Sequence, residues 1–135
     1  MALMSWSDDM SVGVAAIDAQ HQHLIALVNQ LHEAMLARES RVVLGRVLRE
    51  LVDYTTEHFL LEEGYFDEHG YPDADEHKKE HIAFAQRIDT FVRGFARGER
   101  MLTIEVMSFL GDWLREHILG TDKRYAAFFE GRGLR

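Results

Sequence analysis

Apolar side chains recur at steps of three and four residues in four stretches of this 135-residue chain, and this spacing limits its fold more than any other feature. Such a period places the apolar side chains on one face of an α-helix. The first face is Ile17, His21, Leu24, Val28, Leu31 and Met35. The second is Leu44, Val47 or Leu48, Leu51, Thr55, His58, Glu62 and Tyr65. The third is His77, His81, Phe84, Ile88, Phe91 and Phe95, and the fourth is Thr103, Met107, Leu110, Leu114 and His117, with Trp113 adjacent. No stretch alternates as a β-strand does, so the pattern favours an all-α protein.

Short polar and glycine-containing segments separate the four stretches. Asp18, Ser40 and Asp73 are candidate helix caps, the last with Glu76 as a capping box. Four amphipathic helices with short connections predict an up-down-up-down antiparallel four-helix bundle. We interpret residues 1–135 as a single domain with an irregular N-terminal arm over about residues 1–16 and the bundle over about 17–119. A short C-terminal helical segment follows over about 121–131, after a break at Gly120.

Composition and charge exclude several classes of function. The chain has 23 acidic and 15 basic side chains and a formal net charge of −8, which argues against binding to nucleic acid or an anionic membrane. It contains no cysteine, so a disulfide framework, a thiolate metal site and a cysteine nucleophile are excluded. Neither a secretory signal nor a membrane helix is evident. We therefore expect a cytoplasmic protein that does not insert into a membrane.

Each of the four apolar faces carries a residue type that ligates metals. These residues are His21 on the first face, His58 and Glu62 on the second, His77 and His81 on the third and His117 on the fourth. The i, i+4 spacing makes both members of a pair point the same way. One polar residue in a core is usually a hydrogen-bonded histidine. However, burying six without partners would cost on the order of 2 kcal/mol or more each. Five imidazoles and a carboxylate converging in a bundle therefore predict a transition-metal site.

Asp122 is not predicted to join this site by its spacing. It follows His117 by five residues, which is about 140° around an ideal helix. Both could enter the core only if the helix bends or changes pitch, for which Gly120 offers a place. Spacing alone therefore predicts a surface or capping role for Asp122.

Three further histidines lie outside the predicted site. His23 should face solvent, and His69 should lie at a helix end next to Gly70. His32 returns to the face of His21 but roughly 16 Å further along the helix. We expect it to be hydrogen-bonded or half-exposed at the far end of the bundle.

The order of the motifs resembles that of the hemerythrin family, specifically its bacterial single-domain members. The match runs from about residue 5 to residue 122. Its motifs are Trp6-Ser7, Val12-Gly13-Val14, Ile17-Asp18-x-Gln20-His21, His58-Phe59-x-x-Glu62-Glu63, Gly70-Tyr71-Pro72, His77-x-x-x-His81 and Trp113-Leu114-x-x-His117-Ile118-x-x-x-Asp122. All seven positions that the family uses as metal ligands carry the expected residue type.

The resemblance implies a non-haem di-iron centre. In this pattern His77, His81 and His117 bind one iron, while His21 and His58 bind the other. Glu62 and Asp122 bridge the two irons together with an oxo or hydroxo group. Dioxygen takes the one vacant place, on the second iron. Phe59, Trp113, Leu114 and Ile118 are expected to form an apolar pocket around it.

The function that this resemblance implies is reversible dioxygen binding by a monomer. Oxygen storage or delivery is favoured over sensing, and any oxygen-consuming acceptor protein is unidentified. Two alternatives remain open at this point. One is a di-iron enzyme that handles peroxide, nitric oxide or an oxidisable substrate, and the other is iron sequestration.

Overall fold

A computed structural model describes residues 2–135, which form an up-down-up-down antiparallel four-helix bundle. The helices are α1 (Ala15–Leu36), α2 (Arg41–His69), α3 (Ala74–Ala96), α4 (Ile104–Glu116) and α5 (Lys123–Gly131). A short 3₁₀ turn, Asp8–Met10, lies in the N-terminal arm, and a π-helical segment, His117–Asp122, joins α4 to α5. The predicted all-α bundle is thus confirmed. Among these residues, no helix has the length and apolar character needed to cross a membrane.

Two of the helix boundaries have the local chemistry that the sequence predicts. The Ser40 hydroxyl accepts a hydrogen bond from the backbone N–H of Val43 and so caps α2. At the other end of α2, Gly70 adopts φ 65°, a left-handed conformation that favours glycine. Asp73 occupies the N-cap of α3, but its side chain makes no capping hydrogen bond, so the expected capping box is wrong.

The beginning of α1 differs from the expectation. The helix begins at Ala15 with Val14 as its N-cap, so Asp18 lies inside the first turns and does not cap them. Its carboxylate instead accepts hydrogen bonds from the Val12 backbone N–H, at 2.9 Å, and from the Ser11 hydroxyl. Asp18 therefore fastens the arm to α1.

Around Gly120 the helix changes pitch, one of the two possibilities that the sequence left open, and does not break. The chain stays helical from Ile104 through Gly131, and the turn around Gly120 is widened rather than interrupted. A π-helix closes its hydrogen bonds from i to i+5, which adds one residue to the turn. This local widening allows α5 to continue directly from α4.

Two apolar clusters form the core. The larger lies among the four helices and includes Leu24, Leu51, Phe84 and Leu110. The smaller lies at one end of the bundle, where arm and C-terminal helix meet, and consists of Val12, Val14, Ile17, Phe66, Tyr71, Tyr125 and Phe129. The C-terminal segment thus packs against the bundle end.

The three histidines outside the predicted site are dispersed. His23 is exposed as expected, with its ring 4.2 Å from that of Tyr54. His69 lies in the last turn of α2, where its ring packs edge-on against Phe129. His32 is half-buried, with a buried Nδ1 atom that has no hydrogen-bond partner within residues 2–135.

Candidate metal centre

Seven potential metal ligands meet in the core between the two apolar clusters. Three helices and the π segment that extends α4 contribute: α1 holds His21, α2 holds His58 and Glu62, α3 holds His77 and His81, and the π segment holds His117 and Asp122. All seven are buried, and both carboxylates are 0% exposed. The six residues that the helical spacing brings together do converge. Asp122 joins them, so the surface or capping role suggested by spacing is wrong.

The π segment explains the position of Asp122. In an α-helix its side chain would point about 140° away from His117. Because a π turn contains an extra residue, positions five apart return to nearly the same face. The Asp122 Oδ1 atom consequently lies 3.1 Å from His117 Nε2.

The two carboxylates each lie between histidines of different helices. Asp122 Oδ1 is 3.0 Å from His77 Nε2, and its Oδ2 is 3.0 Å from His21 Nε2. Glu62 Oε1 is 3.0 Å from His58 Nε2 and 3.4 Å from His81 Nε2. Each carboxylate thus spans the gap between a histidine from the α3–π side and one from the α1–α2 side.

The donor atoms form two overlapping groups of metal-binding dimensions. One consists of Glu62, His77, His81 and His117, the other of His21, His58, Glu62 and Asp122. Within each group the ligand atoms lie within 4.8 Å of one another. Glu62 belongs to both groups, which is the arrangement a carboxylate shared by two ions requires.

These donor atoms have no other use in the described part of the chain. The Nε2 atoms of all five histidines, Glu62 Oε1 and both Asp122 oxygens are buried and make no hydrogen bond there, despite the short distances between them. Buried polar atoms normally have partners. Their absence of partners and their mutual closeness point to a shared metal centre. Nitrogen and oxygen donors of this kind fit divalent transition ions, so the residues fit the metals that the sequence suggested.

Two side chains outside the seven candidate ligands, Gln20 and Glu63, orient two of the histidines. The sequence alone predicted no role for either. His58 Nδ1 is 2.8 Å from Gln20 Oε1, and His81 Nδ1 is 2.8 Å from Glu63 Oε2. Because both partner oxygens only accept, each Nδ1 carries the hydrogen and each Nε2 is left free to ligate. Gln20 and Glu63 each directly adjoin a candidate ligand in sequence, a signal that could have identified them.

Tyr125 is a third partner that sequence reasoning missed. Its ring lies in the smaller apolar cluster, and its buried hydroxyl donates a hydrogen bond to Glu62 Oε2. Burial, and then the charges of Asp122 and Glu62, raise the pKa of Tyr125 well above its ordinary value. The hydroxyl therefore stays protonated and holds one oxygen of the carboxylate.

Both carboxylates are ionised in the metal-free protein. Burial and Asp122 raise the pKa of Glu62, but His58 and His81 outweigh them and lower it to about 2. Burial also raises the pKa of Asp122, but His117, His21 and His77 lower it well below its ordinary value. Burial lowers the pKa of His117, whereas Asp122, Glu62 and Glu80 raise it above its ordinary value. A proton on His117 thus compensates part of the buried negative charge.

These directions predict how the stability of the metal-free protein depends on pH. The His117 contribution is fully present below about pH 6.5, the ordinary histidine pKa, and is lost as the pH rises through the raised folded value. The contributions of Glu62 and Asp122 are present above about pH 4.5 and are lost as the pH falls toward their folded values. We expect urea unfolding to give a lower free energy at about pH 8.5 than at about pH 6, and bound metal to reduce this decline.

Matched histidine substitutions test the origin of that decline. His117→Gln should remove most of it in the metal-free protein, while His23→Gln, at an exposed position, should leave it unchanged. A decline of the same size in His117→Gln would show that other groups cause it.

Aromatic rings and aliphatic side chains enclose one side of the centre. Phe59 stacks on the His81 ring at 3.7 Å, and Trp113 stacks on His117 at 4.5 Å between ring centroids. Phe59, Trp113 and Leu114 line an apolar cavity that reaches His58 and His117. Ile118 is fully buried and is not among the side chains that line this cavity. Its expected place beside a bound dioxygen stays a prediction.

A family model, curated relatives and a solved structure all identify similarity to hemerythrins. The model of the hemerythrin HHE cation binding domain matches residues 12–129. The bacteriohemerythrin of Stenotrophomonas maltophilia is 40% identical over 126 residues, covering 93% of this chain and 81% of that protein. The bacteriohemerythrin of Pseudomonas aeruginosa is 36% identical, covering 93% of this chain and 80% of that protein. The solved structure of a hemerythrin mutant superposes with a TM-score of 0.90 at 33% identity, covering 94% of this chain and 97% of that one.

Proposed function

Because the chain belongs to the hemerythrin family, we propose that it binds dioxygen reversibly at a centre of two iron ions. In this proposal His77, His81 and His117 hold one ion, and His21 and His58 hold the other. Glu62 and Asp122 would be shared by the two ions, together with an oxo or hydroxo group. The observation that carries the proposal is the position of the two buried carboxylates, each lying between histidines of the two sets.

The ligand set favours binding over oxidation chemistry. Bound ferrous iron would supply the electrons for reversible dioxygen binding. The chain offers five imidazoles and only two carboxylates, whereas ferritin-like di-iron proteins use a carboxylate-rich set. Fewer anionic donors stabilise high-valent iron less well. We therefore propose a carrier or storage protein rather than an enzyme.

The apolar wall of the centre, which consists of Phe59, Trp113 and Leu114, supports reversible binding. Phe59 and Trp113 stack on two of the histidines, which fixes the planes of those rings, and Leu114 is buried beside them. Side chains of this kind exclude the water and protons that would otherwise displace the bound ligand and leave oxidised metal. In our proposal this wall would keep water and protons away from the bound dioxygen, so that its release leaves the metal in the ferrous state.

Anaerobic loading followed by an oxygen cycle tests the function. The protein is loaded with ferrous iron without air, its iron content is measured, and it is exposed to dioxygen and then degassed. A carrier gives a charge-transfer band that appears and then disappears. Irreversible oxidation with turnover of a co-substrate indicates an enzyme instead, and iron uptake without any band indicates sequestration.

Shortening Leu114 tests the role of the apolar wall. Leu114→Ala should accelerate autoxidation of the oxygenated protein while the iron content stays the same, because the substitution opens the wall to water. Autoxidation is followed as the loss of the charge-transfer band with time. The matched control is Leu31→Ala, which removes the same atoms from a buried core position that does not line the cavity. Equal acceleration in both variants would assign the effect to a loosened core.

We also propose that the chain acts as a monomer, because the four helix faces pack against one another in the bundle. Size-exclusion chromatography with light scattering should give the mass of one chain, 15.6 kDa. A mass of twice this value would contradict the proposal.

A further inference from the structure

An apolar cavity of about 260 Å³ extends from the candidate metal centre along the bundle. Beyond the histidines its wall is formed by Leu24, Val28, Leu48, Leu51, Phe84 and Ile88. Val28 lies seven residues after His21 on α1, about 10 Å further along the helix. The cavity therefore continues well past the atoms that hold a metal, and dioxygen alone would leave most of it empty.

The volume suits an organic molecule. An engineered protein cavity of about 150 Å³ lined by aliphatic and aromatic side chains stays free of water and binds benzene. The cavity described here is larger and is lined by side chains of the same kinds. A ring of six carbons, or two fused rings, is the size of guest that its volume accommodates.

The threonine hydroxyls in the wall already have partners, and the unpartnered Nε2 atoms of the histidines that reach the cavity belong to the candidate metal ligands. The Thr55 hydroxyl donates to the Leu51 carbonyl at 2.7 Å, within its own helix. The Thr56 hydroxyl donates to the Val52 carbonyl in the same way, at 3.1 Å. A guest therefore gains little from hydrogen-bonding groups of its own and would lose their hydration. The wall selects for an uncharged, apolar molecule.

Exposure of the lining residues locates the entrance. Thr56 on α2 and Ala85 and Asp89 on α3 line the cavity but are exposed to solvent. Asp89 lies at this rim, where its carboxylate pairs with Arg93 at 3.0 Å. The cavity therefore opens to the surface between α2 and α3.

We propose that the cavity is a binding site for a small, uncharged, apolar organic molecule that enters between α2 and α3. The guest lies against the rings of His58, Phe59 and His117, with its other end between Val28 and Ile88. This site shares Phe59, Trp113 and Leu114 with the wall of the proposed dioxygen site, but its guest binds whether or not dioxygen does. It makes the protein a receptor for an apolar compound beside its metal centre.

Benzene is the probe for the test, with benzoate as a charged control of similar size. The iron-loaded protein, kept without dioxygen, should show a melting temperature raised by about 4 °C at a benzene concentration ten times its Kd. Benzoate should leave the melting temperature unchanged. No rise with benzene, or an equal rise with both compounds, would overturn the proposal.

Two substitutions place the guest and its route. Val28→Phe fills the far end of the cavity and should weaken benzene binding at least tenfold. Ala85→Trp at the exposed rim should slow benzene exchange, measured from NMR line shapes, at least tenfold. Ala83→Trp, at an exposed α3 position outside the cavity lining, is its matched control and should leave exchange unchanged. If Val28→Phe does not fold, nuclear Overhauser effects from benzene to Val28 and Ile88 must be seen in the unsubstituted protein, and their absence contradicts the placement. Exchange that is equally fast in Ala85→Trp and Ala83→Trp contradicts the entrance.

Discussion

Replacing Glu62 by alanine should abolish stable loading with two iron ions. Glu62 is 0% exposed and is the residue that both candidate metal groups share. The substitution removes a donor from each ion and one of the two buried negative charges that offset the metal charge. The loss of affinity should exceed the roughly 10–100-fold that removal of an outer partner costs. Iron per chain, measured after desalting, should fall from two to one or fewer.

Controls separate this loss from general damage to the fold. Glu68→Ala removes an exposed carboxylate from the same helix and should retain both ions. Glu62→Gln keeps the shape of the side chain while removing its charge, and it should load poorly as well. Two tightly bound ions in Glu62→Ala would refute the bridging assignment.

Replacing Phe129 by alanine should destabilise the protein by about 3–5 kcal/mol, the usual cost of removing a buried phenylalanine ring. Phe129 is fully buried on α5, where it packs against Phe66 and Tyr125. Small domains have a free energy of unfolding of roughly 5–15 kcal/mol, so this substitution would remove a large share of the stability. The free energy of unfolding in urea measures the loss.

The neighbouring ring provides a matched comparison. Phe128→Ala should cost clearly less, because Phe128 is only half-buried. Equal and small losses in both variants would show that the C-terminal helix contributes little to the stability of the bundle. Weaker iron retention in Phe129→Ala would indicate a link through Tyr125, which lies in the same cluster and donates a hydrogen bond to Glu62.

The period of the apolar residues was sufficient to predict the bundle and the convergence of six candidate ligands. Both follow from the geometry of regular helices, in which spacing along the chain fixes direction. Asp122 could not be placed in this way, because its position depends on a local change of helix type. That change was supported only by the family resemblance and by the presence of Gly120.

A different reason prevented the prediction of the side chains that hydrogen-bond to the candidate ligands. Gln20 and Tyr125 each contact a ligand on α2 that is distant in sequence from them. Such contacts depend on the relative rotation of packed helices, which the spacing of one helix does not determine. The contact between the N-terminal arm and α1 could not be predicted for the same reason. Asp18 is of a residue type that often caps helices, but here it accepts hydrogen bonds from Ser11 and Val12.

The π segment also sets the angular phase of the C-terminal helix. Each residue of an α-helix advances the chain by about 100°, so deleting one residue between His117 and Asp122 would rotate α5 by about that angle. Tyr125 and Phe129 would then turn away from the bundle end. Two features therefore depend on the one extra residue of the π turn: the inward orientation of the Asp122 carboxylate and the packing of α5 against the bundle. An insertion or deletion in this turn therefore changes both.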